Sequence, residues 1–599
     1  MSASTEIKSG GIATFAVKVN GTAIADELSV LSIHIEKKVN RIASAKITIL
    51  DGEANTGKFD ASSSSVFVPG ASVSIEAGYD NNNTVLFSGL IMSQTIRIDN
   101  LVGSALEIEC RDNAIQMIVG RKSLTFSKQK DSDIISSIIG TYSGLSADVT
   151  STSTTWPEQV QYYTTDWDYI LALAEANGLI ITTLNGKISV FPPDKNTTSI
   201  LTVTYGDNLL EFNAKLNALT QLGNVAANSW DFKTQSVVSG NAAPNVSGTG
   251  NLTTKKLSEV IGLPTYQLQT SAPLETADLT NWSKAQIIKS EYSKIMGEAK
   301  FQGTNLVDPG KYMTFAGLGD RFNGDYIIGG VVHDLSQGNW ISEVTLGLSP
   351  FWFTEEPDVV APPASGLVPG AKGLFNATVK KMYEDPDSQY RILVDVPLLD
   401  PNGQGIWARL TNFYSTNGAG AFFMPEVGDE VILGFINEDP RYPIILGSIY
   451  SSTNIKPFTG LDPNQKNSVK AIVSKSGISV KFDDENKIWT VATPNKNTII
   501  ISDKDKKITI QDENENSIVM SSSGIDLSSQ KNINITANQK VSIKGNQGVD
   551  IQSSGGDISL KGLNIKENAD MQYSAQGGQT AQVSGGMQLT LKGAMVMIN

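Results

Sequence analysis

Four aliphatic triplets near the C-terminus recur at a fixed step of eight residues, and this period restricts the fold more tightly than anything else in the chain. They are Ile525-Asp526-Leu527, Ile533-Asn534-Ile535, Val541-Ser542-Ile543 and Val549-Asp550-Ile551, preceded by a related triplet at Ile508-Thr509-Ile510. No proline follows Pro494, and Tyr573 is the only aromatic after Trp489. An uninterrupted β ladder requires the first, because proline removes a donor. A narrow core stacked with aliphatics accounts for the second. Burying two aliphatics per octad gains roughly 3–6 kcal/mol, whereas ordering eight backbones costs on the order of 8–16 kcal/mol. Ladder hydrogen bonds, about 0.5–1.5 kcal/mol each, close that gap only if strands lie directly above and below. Three chains wound together, one strand per octad on each side of a triangle, give every strand its neighbours. The predicted shaft core is Ile525, Leu527, Ile533, Ile535, Val541, Ile543, Val549 and Ile551. A single chain using three octads per coil is the alternative, with few coils and two ends to cap. At about 4.8 Å between strands the wound shaft would run roughly 60–90 Å.

The remaining sequence reads as several small β domains. A chain of 599 residues should hold three to five domains. Charged residues make up 18% and aromatics 7%, a mix that favours short strands and turns over long charged helices. Nucleic acid needs a basic face, and the net charge of −14 argues against DNA or RNA as a partner. Cys110 is the only cysteine, so no disulfide can form within the chain, and its alternating strand predicts a buried, inert thiol. Met1–Glu6 has neither a charged nor an apolar region of signal-peptide type, and no apolar run approaches a membrane span. The expectation is a protein made in the cytoplasm and carried out by another route.

Residues 1–118 read as a first antiparallel barrel, with period-two runs at Ala45–Ile49, Val73–Ala77 and Leu106–Cys110. An α+β insertion follows at 119–210. Its helices open at Asp131-Ser132-Asp133 and Asp166-Trp167-Asp168, acidic starts that suit helix N-termini, and stop at Gly140 and Asn177-Gly178. A second barrel, 211–355, carries a helix expected over Thr276–Met296, with strands resuming near Tyr312. It echoes the first: Pro69-Gly70 and Pro309-Gly310 each precede a strand, and Gly89 and Gly329 each stand 19 residues after those glycines, where another strand is expected to begin. Residues 356–373 are a Pro/Ala/Gly-rich linker. Five short strands over 374–452, near 375–381, 391–396, 406–410, 430–435 and 444–449, fit a small OB barrel. A second linker, 453–465, leads to the octad shaft at 466–599.

This order of parts resembles the VgrG family, which is similar to fused phage tail-hub and cell-puncturing spike proteins. Val39-Asn40-Arg41-Ile42, Ala45-Lys46-Ile47 and Leu50-Asp51-Gly52 resemble the family's first hub barrel, and Cys110-Arg111-Asp112 with Val119-Gly120-Arg121 its exit. Trp407-Ala408-Arg409, Met424–Val431 and Pro443–Gly447 match the family's OB module, and Ser474–Gly477 with Phe482-Asp483-Asp484 the start of its shaft. The resemblance implies a mainly β homotrimer: two hub β-barrels with inserted helical segments, an OB-fold barrel and an intertwined triple-stranded β-helix. It implies the spike of a contractile injection system, of type VI secretion or an extracellular phage-tail-like particle. Its partners would be a hexameric inner tube protein, baseplate proteins, a PAAR-like tip protein, effector cargo and, on firing, the target-cell membrane. The apolar terminus Met595-Val596-Met597-Ile598-Asn599 is then the expected surface for the tip cap.

No enzymatic chemistry is legible. The two histidines, His34 and His333, lie in strand-like runs, and no HExxH or CxxC spacing suggests a metal site. No cofactor motif is present. Asp483-Asp484 reads as a pair of solvated turn acids rather than a glycosidase pair. Two other readings remain at this point: a trimeric receptor-binding tail fibre or adhesin, and a polysaccharide-degrading enzyme on a single-chain β-helix.

Overall fold

The computed structural model describes residues 11–99, 103–245, 248–451, 457–458 and 464–598. Strands hold 40% of the residues and helices 12%. The chain forms two compact units, one ending at Ile449 and the other beginning at Tyr450.

In the first unit, β1 (Ala13–Val19), β2 (Val30–Lys38), β3 (Ser44–Leu50), β4 (Ser72–Tyr79), β5 (Asn82–Asp99) and β6 (Gly103–Arg111) form a lobe. Their alternate side chains, among them Ile33, Ile35, Ile47, Ile49, Ile75 and Ile108, make a closed apolar core. Two helices follow, α1 (Asp131–Gly140) and α2 (Asp166–Ala176), packed on a small sheet that includes Ile180–Leu184 and Lys187–Phe191. A second lobe comprises β7 (Ser199–Thr204), β8 (Leu209–Leu216), helix α3 (Thr276–Tyr292), β9 (Ile295–Gln302), β10 (Tyr312–Ala316), β11 (Gly324–Ser336) and β12 (Asn339–Leu346). Phe301, Met313, Phe315 and Val344 fill its core. The helix expected to reach Met296 ends at Tyr292 instead. Ile295 and Met296 pair with Leu216 and Lys215 as the start of β9, so ladder hydrogen bonds outweigh the apolar helical pattern there.

The two lobes share one strand order. The first runs β2-β3-β6-β5-β4-β1 and the second β8-β9-β12-β11-β10-β7. Only the last strand differs, β1 being antiparallel to β4 while β7 is parallel to β10. Bulges recur at matching places, between Val30 and Ser32 in β2 and between Leu209 and Glu211 in β8. They recur again between Ile91 and Ser93 in β5 and between Ile328 and Gly330 in β11. Gly70 N–H donates to the Ile91 carbonyl and Gly310 N–H to the Ile328 carbonyl, both at 2.8 Å. The duplication is therefore real at the level of hydrogen bonds. The equivalent positions are Ile91 and Ile328, not Gly89 and Gly329, because the loops between the paired strands differ in length. Neither glycine begins a strand; both lie inside β5 and β11. The lobes are joined edge to edge, β11 pairing antiparallel with β2 from Gly330–Lys38 to Ser336–Ser32.

The five OB strands close into a barrel, β13 (Phe375–Lys381), β14 (Ile392–Asp395), β15 (Ile406–Leu410), β16 (Glu430–Phe435) and β17 (Pro443–Ser448), in the order β13-β14-β15-β17-β16. Val379, Ile392, Val394, Val431, Leu433 and Ile445 fill it.

The second unit opens with seven five-residue strands: β18 (Val469–Val473), β19 (Ser479–Asp483), β20 (Ile488–Ala492), β21 (Thr498–Ser502), β22 (Lys507–Gln511), β23 (Ser517–Ser521) and β24 (Gly524–Ser528). They form an antiparallel meander in sequence order. Ile508-Thr509-Ile510 and Ile525-Asp526-Leu527 therefore lie in a ladder made by one chain, not in the octad winding their pattern suggested. Turn chemistry decides this. The connections are polar and rich in Asp and Asn, and Asp512 accepts hydrogen bonds from the backbone of Asn514 and Asn516. From Ser529 to Ile598 no described residue lies in a strand, and bends recur along the segment.

Candidate functional site

Residues that could carry chemistry are instead tied into structural networks. His333 is fully buried, its Nδ1 2.9 Å from Ser342 Oγ and 3.4 Å from Trp340 Nε1. Burial pushes its pKa down to about 3, so it stays neutral. His34 Nδ1 lies 2.6 Å from Asp334, and that hydrogen bond raises its pKa. Asp166 is not the cap of α2; Thr165 is, its Oγ1 accepting from Asp168 N–H at 3.1 Å. Asp166 is buried and accepts hydrogen bonds from Lys122, Tyr142 and Gln161. Burial opposes its ionisation, yet these partners hold its pKa below the usual carboxylate range. Asp483 is likewise lowered by its hydrogen bonds to Asn486, and Asp484 pairs with Lys470, so both are turn acids. Burial drives the Cys110 thiol up to about 12. Among the described residues no cluster of His, Cys, Asp or Glu could hold a metal ion. No helix among them is long and apolar enough to cross a membrane.

What the chain offers instead is surface. In the OB barrel the motif Met424–Val431 forms a tight turn into β16: Asp429 accepts from Glu426 N–H at 2.8 Å, and Gly428, with φ +94°, donates to the Val379 carbonyl. The long β15–β16 connection exposes Phe413, Tyr414, Phe422 and Phe423, an aromatic group that the alternation of the strands does not signal.

The meander has one apolar face. Cross-strand partners Val480–Val491, Trp489–Ile501, Ile499–Ile510, Ile508–Met520 and Ile518–Leu527 place an aliphatic or aromatic side chain on the same face of successive strands. Among the described residues nothing fully covers this face: Ile499, Ile501, Ile510 and Met520 are each 38–41% exposed. A sheet with one apolar face needs a second layer. The predicted shaft residues continue the exposure: Ile525 is 68% exposed, Leu527 55%, Ile533 54%, Ile535 67%, Val541 49%, Ile543 69%, Val549 53% and Ile551 65%. Beyond Ser528 no described residue pairs its backbone with another strand of the same chain.

The octad persists in the backbone. At Gly545, Gly577 and Gly585, eight-residue multiples apart, a Cβ would sit 2.0–2.4 Å from the carbonyl oxygen three residues on. Only glycine admits so sharp a corner. Met595, Val596, Met597 and Ile598 are 52–86% exposed. Asn599 lies outside the described residues, as do Met1–Glu6 and most of the linker 453–465.

Comparison with known proteins follows the same division. Residues 375–450 match the type VI secretion system/phage-baseplate injector OB domain, and 488–549 the phage baseplate V C-terminal trimerisation domain. Residues 9–337, more than half of the chain, match the Alg8 N-terminal domain. The type VI secretion system spike protein VgrG4b of Pseudomonas aeruginosa is 34% identical over 83 residues, 13% of this chain and 10% of that protein. The chain belongs to the VgrG spike family, with an Alg8-type N-terminal domain. VgrG3 of Vibrio cholerae, also a spike protein of type VI secretion, is 38% identical over 60 residues, 10% of this chain and 6% of that relative. These matches thus span a small part of the VgrG relatives' own length. Among solved structures, a 43 kDa prophage tail protein from Shewanella oneidensis covers 56% of this chain and 98% of itself at 12% identity, with a TM-score of 0.43.

Proposed function

We propose that this VgrG-family chain is the spike and hub of a bacterial contractile injection system, working as a homotrimer and without enzymatic activity. The observation that carries the reading is the second unit. Its meander presents a part-exposed apolar face, and the octads beyond it have no ladder partner among the described residues. Two further copies supply both. A single-chain β-helix enzyme would instead pair its octads with one another. The match of residues 488–549 to a trimerisation domain supports the same conclusion.

In this reading sheath contraction drives the tube forward, and the stiff shaft concentrates force on a small area of target envelope. Six hub lobes, two from each copy, fit a hexameric inner tube, and the OB modules bind baseplate proteins. The exposed apolar segment Met595–Ile598 seats a PAAR-like cap, which covers surface that would otherwise favour aggregation. Effector cargo travels with the cap or shaft. The protein is assembled in the cytoplasm and leaves the cell with the particle. Light scattering of the purified chain tests the core of this. A mass three times the 64.1 kDa of one copy is expected, and a stable folded single copy would refute it.

A further inference from the structure

The first unit holds a small cavity with tryptophan walls and a negative charge, and the injection role does not use it. Its volume is 280 Å³. Asp131, at the start of α1, lines one side, and Asp278 and Trp282, in the first two turns of α3, line another. Trp156, Leu274 and Asn177 add to the wall. All of these residues belong to one chain, so the cavity exists whether or not copies assemble.

The two carboxylates are not neutralised. Asp131 is 3% exposed and accepts hydrogen bonds from Asn177 Nδ2 at 2.8 Å and Gln159 Nε2 at 3.3 Å, with the Trp156 indole turned toward it. Burial pushes its pKa up, and the charge of Asp278 adds to the rise. Asp278 is half-buried and accepts from the Thr154 hydroxyl. Every one of these donors is neutral, and among the described residues no lysine, arginine or histidine pairs with either acid. Both acids stand in the first turn of a helix, where the N-terminus supplies about half a positive charge. Two carboxylates against two helix ends leave about one negative charge facing the cavity.

That balance calls for one monovalent cation, and the walls decide its kind. A calcium-type ion takes six or more oxygen ligands, whereas no group of three or more His, Cys, Asp or Glu among the described residues could hold a metal. Indole rings attract organic cations over their faces, and Leu274 offers surface for an alkyl chain. Sites for drug-sized ligands run from about 300 to 1,000 Å³, so this smaller space suits a single amine or side chain. We propose that the cavity binds an organic monocation, a primary ammonium or guanidinium group on a short alkyl chain. Asp131 and Asp278 hold the charge, and the chain lies along Trp156, Trp282 and Leu274. A free amine and a lysine or arginine side chain of a partner protein share this chemistry.

Titration of the full chain with butylammonium at neutral pH, followed by saturation-transfer NMR of the ligand, tests this. Saturable binding is expected, displaced by methylguanidinium but not by n-butanol, which has a similar shape without the charge. Asp278→Asn keeps an acceptor for Thr154 and should weaken binding by roughly tenfold or more, as should Trp282→Leu. Comparing cadaverine with Nα-acetyl-lysine methylamide identifies the source: tighter binding of the diamine supports a free amine, and tighter binding of the lysine derivative a protein side chain. Absence of saturable binding overturns the proposal. So does displacement by n-butanol or by calcium ions, or undiminished affinity in a variant that melts like the natural chain. None of these results bears on whether the chain is a trimeric spike.

Discussion

Replacing Ile535 with alanine separates the assembled shaft from a lone chain more cleanly than any other single change. In one copy Ile535 is 67% exposed and has no ladder partner, so its loss would resemble an ordinary surface substitution, within about 0.5 kcal/mol. In a wound shaft the same side chain faces the axis and is fully buried, where Ile→Ala costs roughly 2–5 kcal/mol. The threefold axis repeats the lesion three times, so the trimer loses on the order of 6–15 kcal/mol. At about 1.4 kcal/mol per tenfold, that is at least four orders of magnitude in the assembly constant. The assay is the temperature at which detergent-resistant trimers dissociate on a gel, checked by the guanidinium midpoint from light scattering. Ile543→Ala, one octad along and 69% exposed, should behave alike. Trimers as resistant as the natural protein's in both variants would refute the wound core.

Three further outcomes follow from the geometry. Gly585→Ala places a Cβ 2.4 Å from the Gln588 carbonyl oxygen, so the shaft should lose roughly 1–3 kcal/mol per copy in the same gel assay, whereas Gly586→Ala, with open space around it, should not. His333 has a folded pKa near 3 against an unfolded value of 6.5, so the unfolded hub binds the extra proton. Its contribution is present above about pH 6.5 and is lost as pH falls toward 3, and His333→Phe should weaken that part of the acid sensitivity in pH-dependent chemical denaturation. Cys110, buried and held near a pKa of 12, should ignore a thiol reagent at pH 8 until the protein is unfolded, then react once per chain.

Much of the fold was legible because local signals and global structure agree. The OB strands fall within a residue or two of where alternation and turns put them, and α1 and α2 begin at the acidic residues that mark them. What the pattern could not convey is who pairs with whom. The end of α3 at Tyr292 is set by Leu216, distant in sequence, claiming Ile295 for a ladder. The short helix Thr254–Ile261, capped by Thr253 and ended by Gly262 at φ +70°, carries those signals plainly, yet it is brief and sits inside a stretch whose pattern reads as barrel. Aliphatics at Ile508 and Ile525 look alike in sequence to those at Ile533 and Ile543. The polar turns between the former let one chain fold back on itself, and the glycine corners that follow the latter do not.

That change of habit near Ser528 has a kinetic meaning. Octads so alike carry little address: in the proposed wound trimer, three strands slipped by one repeat would look almost as good as three in step. The seven hairpinned strands ahead of them are each chain's own and can form before any meeting. They are the box at the foot of a zip fastener, fixing alignment so that closure proceeds in one direction, toward Ile598.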